Sequence, residues 1–327
     1  MKAYQLTGPQ TLEQVTAPDP EPMDGQVLLK IEHVSICGSD THLNFHPTLP
    51  EERYPFAPGL PCHEIAGTIV ESKNPDHPVG QRAIILPTFA PAVGMTTGGL
   101  AEFMASEKVI PLPDYGDTAD WVMCQPAGTA IQASREWGTT DEKTFLVLGQ
   151  GAIGLSTTAV ASRMGARMVI GVDLDDYRLE KASQLGAEVT LNADRDDVLE
   201  AVMDLTEGKG VDCVVEATGD PDGINVALQL VRNRGTIIGF SLVSADEPSI
   251  LKHQEWMRKE VRILPTNAAG AIDPVAPIRD MVGLRDRGWW DPAELITHRV
   301  GWDHVQDAYE MYADRADGVI KIAIAIE

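Results

Sequence analysis

Cysteine is scarce in this chain. Four residues in 327, Cys37, Cys62, Cys124 and Cys213, are too few for a disulfide framework and fit a reducing compartment, the cytoplasm. Long apolar runs are missing as well. None approaches the roughly 18 residues that a membrane span requires, and the opening MKAYQLTGPQTLEQ lacks the apolar stretch of a secretory signal. Basic residues are few: 26 Lys and Arg stand against 49 Asp and Glu, a formal net charge of −23. That balance argues against a basic nucleic-acid-binding surface. What remains is 43% apolar and 23% charged residues, enough for large buried cores, in a length that suits two domains.

The first third reads as β-rich. Residues 26–31 alternate, with Val27, Leu29 and Ile31 on one face, and short apolar runs follow at 65–70 and 83–86. Proline and glycine punctuate them, from Pro18 through Pro87, as in a compact β domain. Near residue 140 the pattern changes. Apolar runs at 145–148, 168–172, 188–191, 211–215, 236–240 and 261–265 alternate with stretches of helical period. Leu179, Ala182 and Leu185 form one such stripe, and Val198, Val202 and Leu205 another. This alternation predicts a doubly wound parallel sheet. The tail carries a helical piece around 303–313 and an apolar strand at 318–326 that rejoins the first domain. The expected division is 1–125 with 268–327, and 126–267.

The first strand of the second region runs into Gly149-Gln150-Gly151-Ala152-Ile153-Gly154. This is G-x-G-x-x-G between a strand and a helix. Gly149 permits the tight turn, Gly151 lets backbone approach a pyrophosphate, and Gly154 lets helix and strand pack closely. The phosphates then sit at the helix N-terminus, where free N–H groups favour anions. Gly149, Gly151, Ala152, Ile153 and Gly154 are therefore cofactor-binding candidates. Asp173 closes the next strand nineteen residues after Gly154. An acid there accepts from ribose hydroxyls and repels a 2′-phosphate, and the first base after it is Arg178, so NAD is favoured over NADP.

The β-rich part holds Cys37-Gly38-Ser39-Asp40-Thr41-His42 and, further on, His63-Glu64. Thiolate, imidazole and carboxylate form a zinc ligand set, and three protein ligands with an open position form a catalytic one.

Together these pieces resemble the zinc-dependent medium-chain dehydrogenases/reductases of the alcohol and polyol dehydrogenase type, in the sorbitol- or threonine-dehydrogenase-like branch. The resemblance also rests on Gly98-Gly99-Leu100-Ala101-Glu102-Phe103, Glu216-Ala217-Thr218-Gly219 and Gly318-Val319-Ile320-Lys321, and spans nearly the whole chain. It implies an α/β protein with a GroES-like β-barrel catalytic domain and a Rossmann doubly wound domain, with the active site in the cleft between them. It implies a homodimer or homotetramer. Cys37 and His63 resemble the first two ligands of a catalytic zinc, and Glu64 the third. Ser39 resembles the hydroxyl that bonds the substrate oxygen, His42 a proton-relay histidine, and Asp40 the acid that orients the zinc-bound imidazole. Arg178 and Thr218 resemble cofactor contacts.

Three positions depart from the family. Cys62 stands where the family has glycine before His-Glu. Gln125-Pro126 replaces Glu-Pro or a cysteine; a neutral amide is a poor zinc ligand, so Gln125 is a catalytic candidate that hydrogen-bonds zinc water or substrate, with Gln125, Glu64 and Cys124 as alternatives for completing the metal shell. Residues 87–99 hold none of the four cysteines of a structural-zinc lobe, so one catalytic zinc per chain and no structural zinc are expected. The activity implied is hydride transfer between a small-molecule polyol, sugar or other secondary alcohol, or the matching carbonyl, and NAD(H). Two other readings stay open: a zinc-free quinone or enone reductase of the same superfamily, and a non-enzymatic nucleotide sensor.

Overall fold

The structure, a computed structural model, describes residues 1–47, 49–90, 94–242, 249–266 and 272–326. It divides into two compact units, Met1–Pro126 with Ile278–Glu327, and Ala127–Pro277. The division expected at 267/268 lies outside the described residues. Among the described residues, no helix is long and apolar enough to cross a membrane.

The first unit is built on a seven-stranded sheet. In spatial order it runs Ile296–Val300, Lys321–Ala325, Val27–Ser35, Glu64–Ser72, Arg82–Ile85 and Val109–Pro111, with Phe103–Ser106 also paired to Val27–Ser35. The first pair is parallel and the others antiparallel. Alternation buries Val27, Leu29 and Ile31 completely, because successive strand residues point to opposite faces. The C-terminal strand lies beside Val27–Ser35, with Ala323 opposite Ser35 and Ile324 opposite Val34.

The second unit holds six parallel strands: Thr144–Leu148, Met168–Asp173, Val189–Asn192, Val211–Glu216, Val231–Gly239 and Arg262–Pro265. In space the third, second, first, fourth, fifth and sixth follow one another. Every residue of Thr144–Leu148 is buried, as expected for a central parallel strand covered on both faces. The chain reverses its winding between this strand and Val211–Glu216, the place where doubly wound sheets bind ligands. Helix Asp176–Leu185 buries Leu179, Ala182 and Leu185 as its period predicts. Helix Val198–Leu205 departs from its stripe. Val202 is buried, but Leu205 is 42% exposed, because it is the last helical residue before the chain turns away.

Candidate active site

At that crossover the glycine turn meets a second turn. Gly149 has φ +84°, a left-handed conformation that glycine alone adopts without penalty. A Cβ on it would lie 2.7 Å from Ala217 O, and one on Gly154 would lie 1.8 Å from Gly149 O. Both positions therefore accept only glycine, and the Glu216–Gly219 segment packs on the phosphate turn. Buried Glu216 holds that segment by accepting from the Thr218 N–H at 2.8 Å and from Thr218 Oγ1. Gly151 is different: nothing lies within 4 Å of the place its Cβ would occupy. It caps helix Ala152–Arg163, which leaves room for a ligand over the first helical N–H groups. Ala152 and Ile153 open that helix.

Asp173, at the end of its strand, reaches back to this turn. One oxygen accepts the Gln150 N–H; the other accepts those of Leu174 and Asp175, at 2.8 and 3.0 Å. Three bonds leave a carboxylate room for another donor. Arg178 is buried, 3.5 Å from Asp175 Oδ2 and bonded through Nε to Tyr177 Oη, so its charge faces a neighbouring acid. Gln150 escaped sequence reasoning. Its side-chain amide is fully buried, donates to Val147 O at 2.9 Å and accepts from Thr158 Oγ1 at 3.0 Å. Gly171, on the neighbouring strand, leaves it space.

In the first unit, strand ends bring together residues far apart in the chain. Val27–Ser35 runs out into Cys37, which caps a helical turn at Gly38–Asp40. Glu64 opens the next strand, where it pairs with Ser35, and His63 immediately precedes it. Gly98 and Gly99 explain their own motif. Gly98 lies so close to Gly59 that a Cβ would meet Gly59 O at 2.3 Å, and the Gly99 N–H donates to Cys62 O at 2.9 Å. The pair clamps the loop that presents His63.

Ligand atoms of Cys37, His63 and Glu64 lie within 4.8 Å of one another, the one such group found among the described residues. Asp40 ties two of them: it accepts from the Cys37 N–H at 3.0 Å and lies 2.7 Å from His63 Nδ1. With Nδ1 engaged, Nε2 is the nitrogen left for a metal, the arrangement that metal-binding histidines adopt. Burial alone would lower the His63 pKa; the charges of Asp40 and Cys37 outweigh it and raise it well above the ordinary value. Burial raises the Asp40 pKa, with His63 opposing. Ser39 Oγ donates to Cys37 Sγ at 3.3 Å, which sets the hydroxyl beside the centre. The His42 ring rests over Gly38. Desolvation, then the charges of Arg315 and His46, lower its pKa, so it is neutral and able to take a proton near pH 7.

Glu64 has a partner that the sequence did not disclose. Lys321 Nζ lies 2.6 Å from each of its oxygens and 2.7 Å from Ile36 O, and Ser35 Oγ donates to Glu64 Oε2. Lys321 and Glu64 are 1% and 0% exposed. Burial works against the lysine charge, but Glu64 prevails and the Lys321 pKa is raised. A lone lysine in the apolar run 319–326 is the signal that could have found this pair, since a buried charge requires a counter-charge.

Cys62, Cys124 and Gln125, the departing or alternative positions, are all buried. Cys62 is fully buried in the core, with its thiol 3.7 Å from Ser35 O. Cys124 is buried and its thiol pushed up to about 12, as in an inert packed cysteine. Gln125 is buried in the first turn of helix Cys124–Glu136. Phe45 and Phe56 are core residues, and Phe45 packs on Tyr309 at 5.4 Å. Trp290 is buried, with Nε1 donating to Glu294. The donor set fits zinc: a cysteine sulfur, the second imidazole nitrogen of a histidine and a carboxylate, with an acid already orienting the imidazole.

Comparison with known proteins agrees with this construction. Residues 23–114 match the alcohol dehydrogenase GroES-like domain, and residues 152–279 the zinc-binding dehydrogenase domain. The L-threonine 3-dehydrogenase of Bacillus velezensis is 30% identical over 71% of this chain and 73% of its own. The sorbitol dehydrogenase of Bacillus subtilis is 28% identical over 99% and 97%. The crystal structure of an Escherichia coli oxidoreductase/dehydrogenase of unknown specificity superposes with a TM-score of 0.88 at 26% identity, covering 100% of this chain and 99% of that one. A GroES-like domain joined to a Rossmann domain, over relatives of this extent, means that the chain belongs to the zinc-type medium-chain alcohol and polyol dehydrogenases, oxidoreductases that act on CH–OH groups.

Proposed function

We propose that the protein oxidises a polyol, sugar or other small secondary alcohol to the ketone with NAD in preference to NADP, and runs the reverse reduction. The observation that carries this reading is the convergence of Cys37, His63 and Glu64 around one point with Asp40 behind His63. Cys37 Sγ, His63 Nε2 and a Glu64 oxygen would hold one catalytic zinc. When bound, zinc supplies a Lewis acid that lowers the pKa of the alcohol. Asp40 fixes the His63 ring, and Ser39 would take the proton of the substrate hydroxyl as its own hydroxyl proton passes on. His42, neutral near pH 7, moves that proton towards solvent. The N–H groups that follow Gly151 hold the pyrophosphate. Asp173 spends its remaining acceptor capacity on ribose hydroxyls, and with Arg178 already facing Asp175, nothing here welcomes a 2′-phosphate. The relatives that carry threonine and sorbitol in their names point to secondary alcohols. Four unpaired cysteines suit the cytoplasm, and the working form is a homodimer or homotetramer.

The test joins metal analysis to a turnover screen of polyols and secondary alcohols with NAD and NADP. One zinc per chain, and chelator-sensitive NAD reduction by a secondary alcohol, are expected. Activity on a quinone or enone that survives chelation would replace this reading with a zinc-free reductase. NAD binding without turnover of any alcohol would favour a sensor.

A further inference from the structure

Lys321 is fully committed. Its ammonium spends its three donors on both oxygens of Glu64 and on Ile36 O. Ser35 Oγ takes a further lone pair of Glu64 Oε2. Of the roughly four acceptor sites of a carboxylate, one remains, on Oε1. A metal ion holds its cysteine ligand as the thiolate, so the loaded site would carry three anionic side chains, Cys37, Asp40 and Glu64. With Lys321 among them, a divalent cation brings the group to neutrality; without Lys321 one negative charge stays uncompensated.

We infer that Lys321 is a resident counter-cation for Glu64 that weakens the grip of this site on its metal and keeps the metal-free protein folded. The inference rests on Cys37, His63 and Glu64 being the metal ligands. Electrostatics fixes the direction of both effects. A buried carboxylate stripped of its lysine destabilises the empty protein, and the same carboxylate, freed from a competing cation, binds a divalent ion more strongly. A lysine that only packed would lower stability and leave metal affinity unchanged or reduced.

The experiment compares metal-stripped wild type with Lys321→Met, by thermal melting and by titration with zinc against a chromophoric chelator. The variant is expected to melt at least about 5 °C lower without metal and to bind zinc at least about tenfold more tightly, so that zinc raises its Tm further than that of wild type. Should Lys321→Met not fold without metal, it is expected to fold in zinc, and Lys321→Met with Glu64→Gln, which needs no counter-cation, to fold without it. Zinc affinity equal to or below wild type in Lys321→Met overturns the inference alone. So does failure of both variants to fold under any of these conditions. A wild type that takes up no zinc overturns the metal reading and the inference with it.

Discussion

Alanine at Gly154 and alanine at Gly151 should fail in different ways. At Gly154 the new Cβ would stand 1.8 Å from Gly149 O and 2.8 Å from Gly149 C. Relief to about 3 Å requires a displacement of roughly 1.2 Å, and overpacking of this kind costs about 1–3 kcal/mol. The turn cannot yield, because the Gly149 N–H is bonded to Val172 O at 2.8 Å and its other side lies against Ala217. The helix start must move, taking with it the N–H groups meant for the pyrophosphate. A misplacement near 1 Å is worth about 100-fold in a positioned contact. Gly154→Ala should therefore lose both several degrees of Tm and about two orders of magnitude of NAD affinity. At Gly151 the Cβ meets nothing, and φ −69°, ψ −174° is open to alanine. Gly151→Ala should lose no more than about 1 kcal/mol of stability, the difference between glycine and alanine at a helix N-cap, and still bind NAD at least about tenfold more weakly, because only the ligand comes close. Thermal melts beside NAD titration by fluorescence quenching separate the two. Wild-type NAD affinity in Gly151→Ala would mean that the pyrophosphate does not cross this turn. Wild-type melting in Gly154→Ala would refute the packing argument.

The other predictions concern the metal ligands, the cofactor and pH. Wild type is expected to prefer NAD over NADP by at least about tenfold in kcat/KM, or about 1.4 kcal/mol, and Asp173→Ala should shrink that preference; equal use of both cofactors by wild type would sink the assignment. Cys37→Ala and His63→Ala should lose zinc and turnover but keep NAD affinity, since the cofactor residues belong to the other unit; full metal content in either would move the site elsewhere. Gln125→Ala should retain zinc while Glu64→Ala loses it, and elemental analysis giving the reverse would make Gln125 the third ligand. The pKa of His33 is held below 6.5, chiefly by burial, with Asp117 opposing. The unfolded chain therefore takes up its proton first, and stability should fall as pH drops below about 6.5. His33→Gln should flatten that part of the Tm–pH curve, and an unchanged curve would refute the linkage.

The readable parts of this protein were those written in neighbouring residues. Strand alternation at 26–31, the six apolar runs of the second unit, the glycine turn and the acid at 173 are local patterns, and each became the element its period demanded. Leu205 broke its stripe because a helix end, unlike a helix middle, does not oblige the last residue to face the core. The chemistry of the ligand set was legible in the same way, from residue types and their resemblance to a family.

The sequence by itself determined the fold class, the family and which side chains are the candidates for holding a metal, because periodicity and short motifs act over a few residues. The resemblance implied Asp40 behind His63, and the tertiary structure alone brought Lys321 to Glu64. Asp40 and His63 lie 23 positions apart, and Glu64 and Lys321 lie 257 apart. Their meeting depends on the register of strands Glu64–Ser72 and Lys321–Ala325 against Val27–Ser35. A charge finds its partner through that register, which is set by the packing of a whole core and by no local pattern.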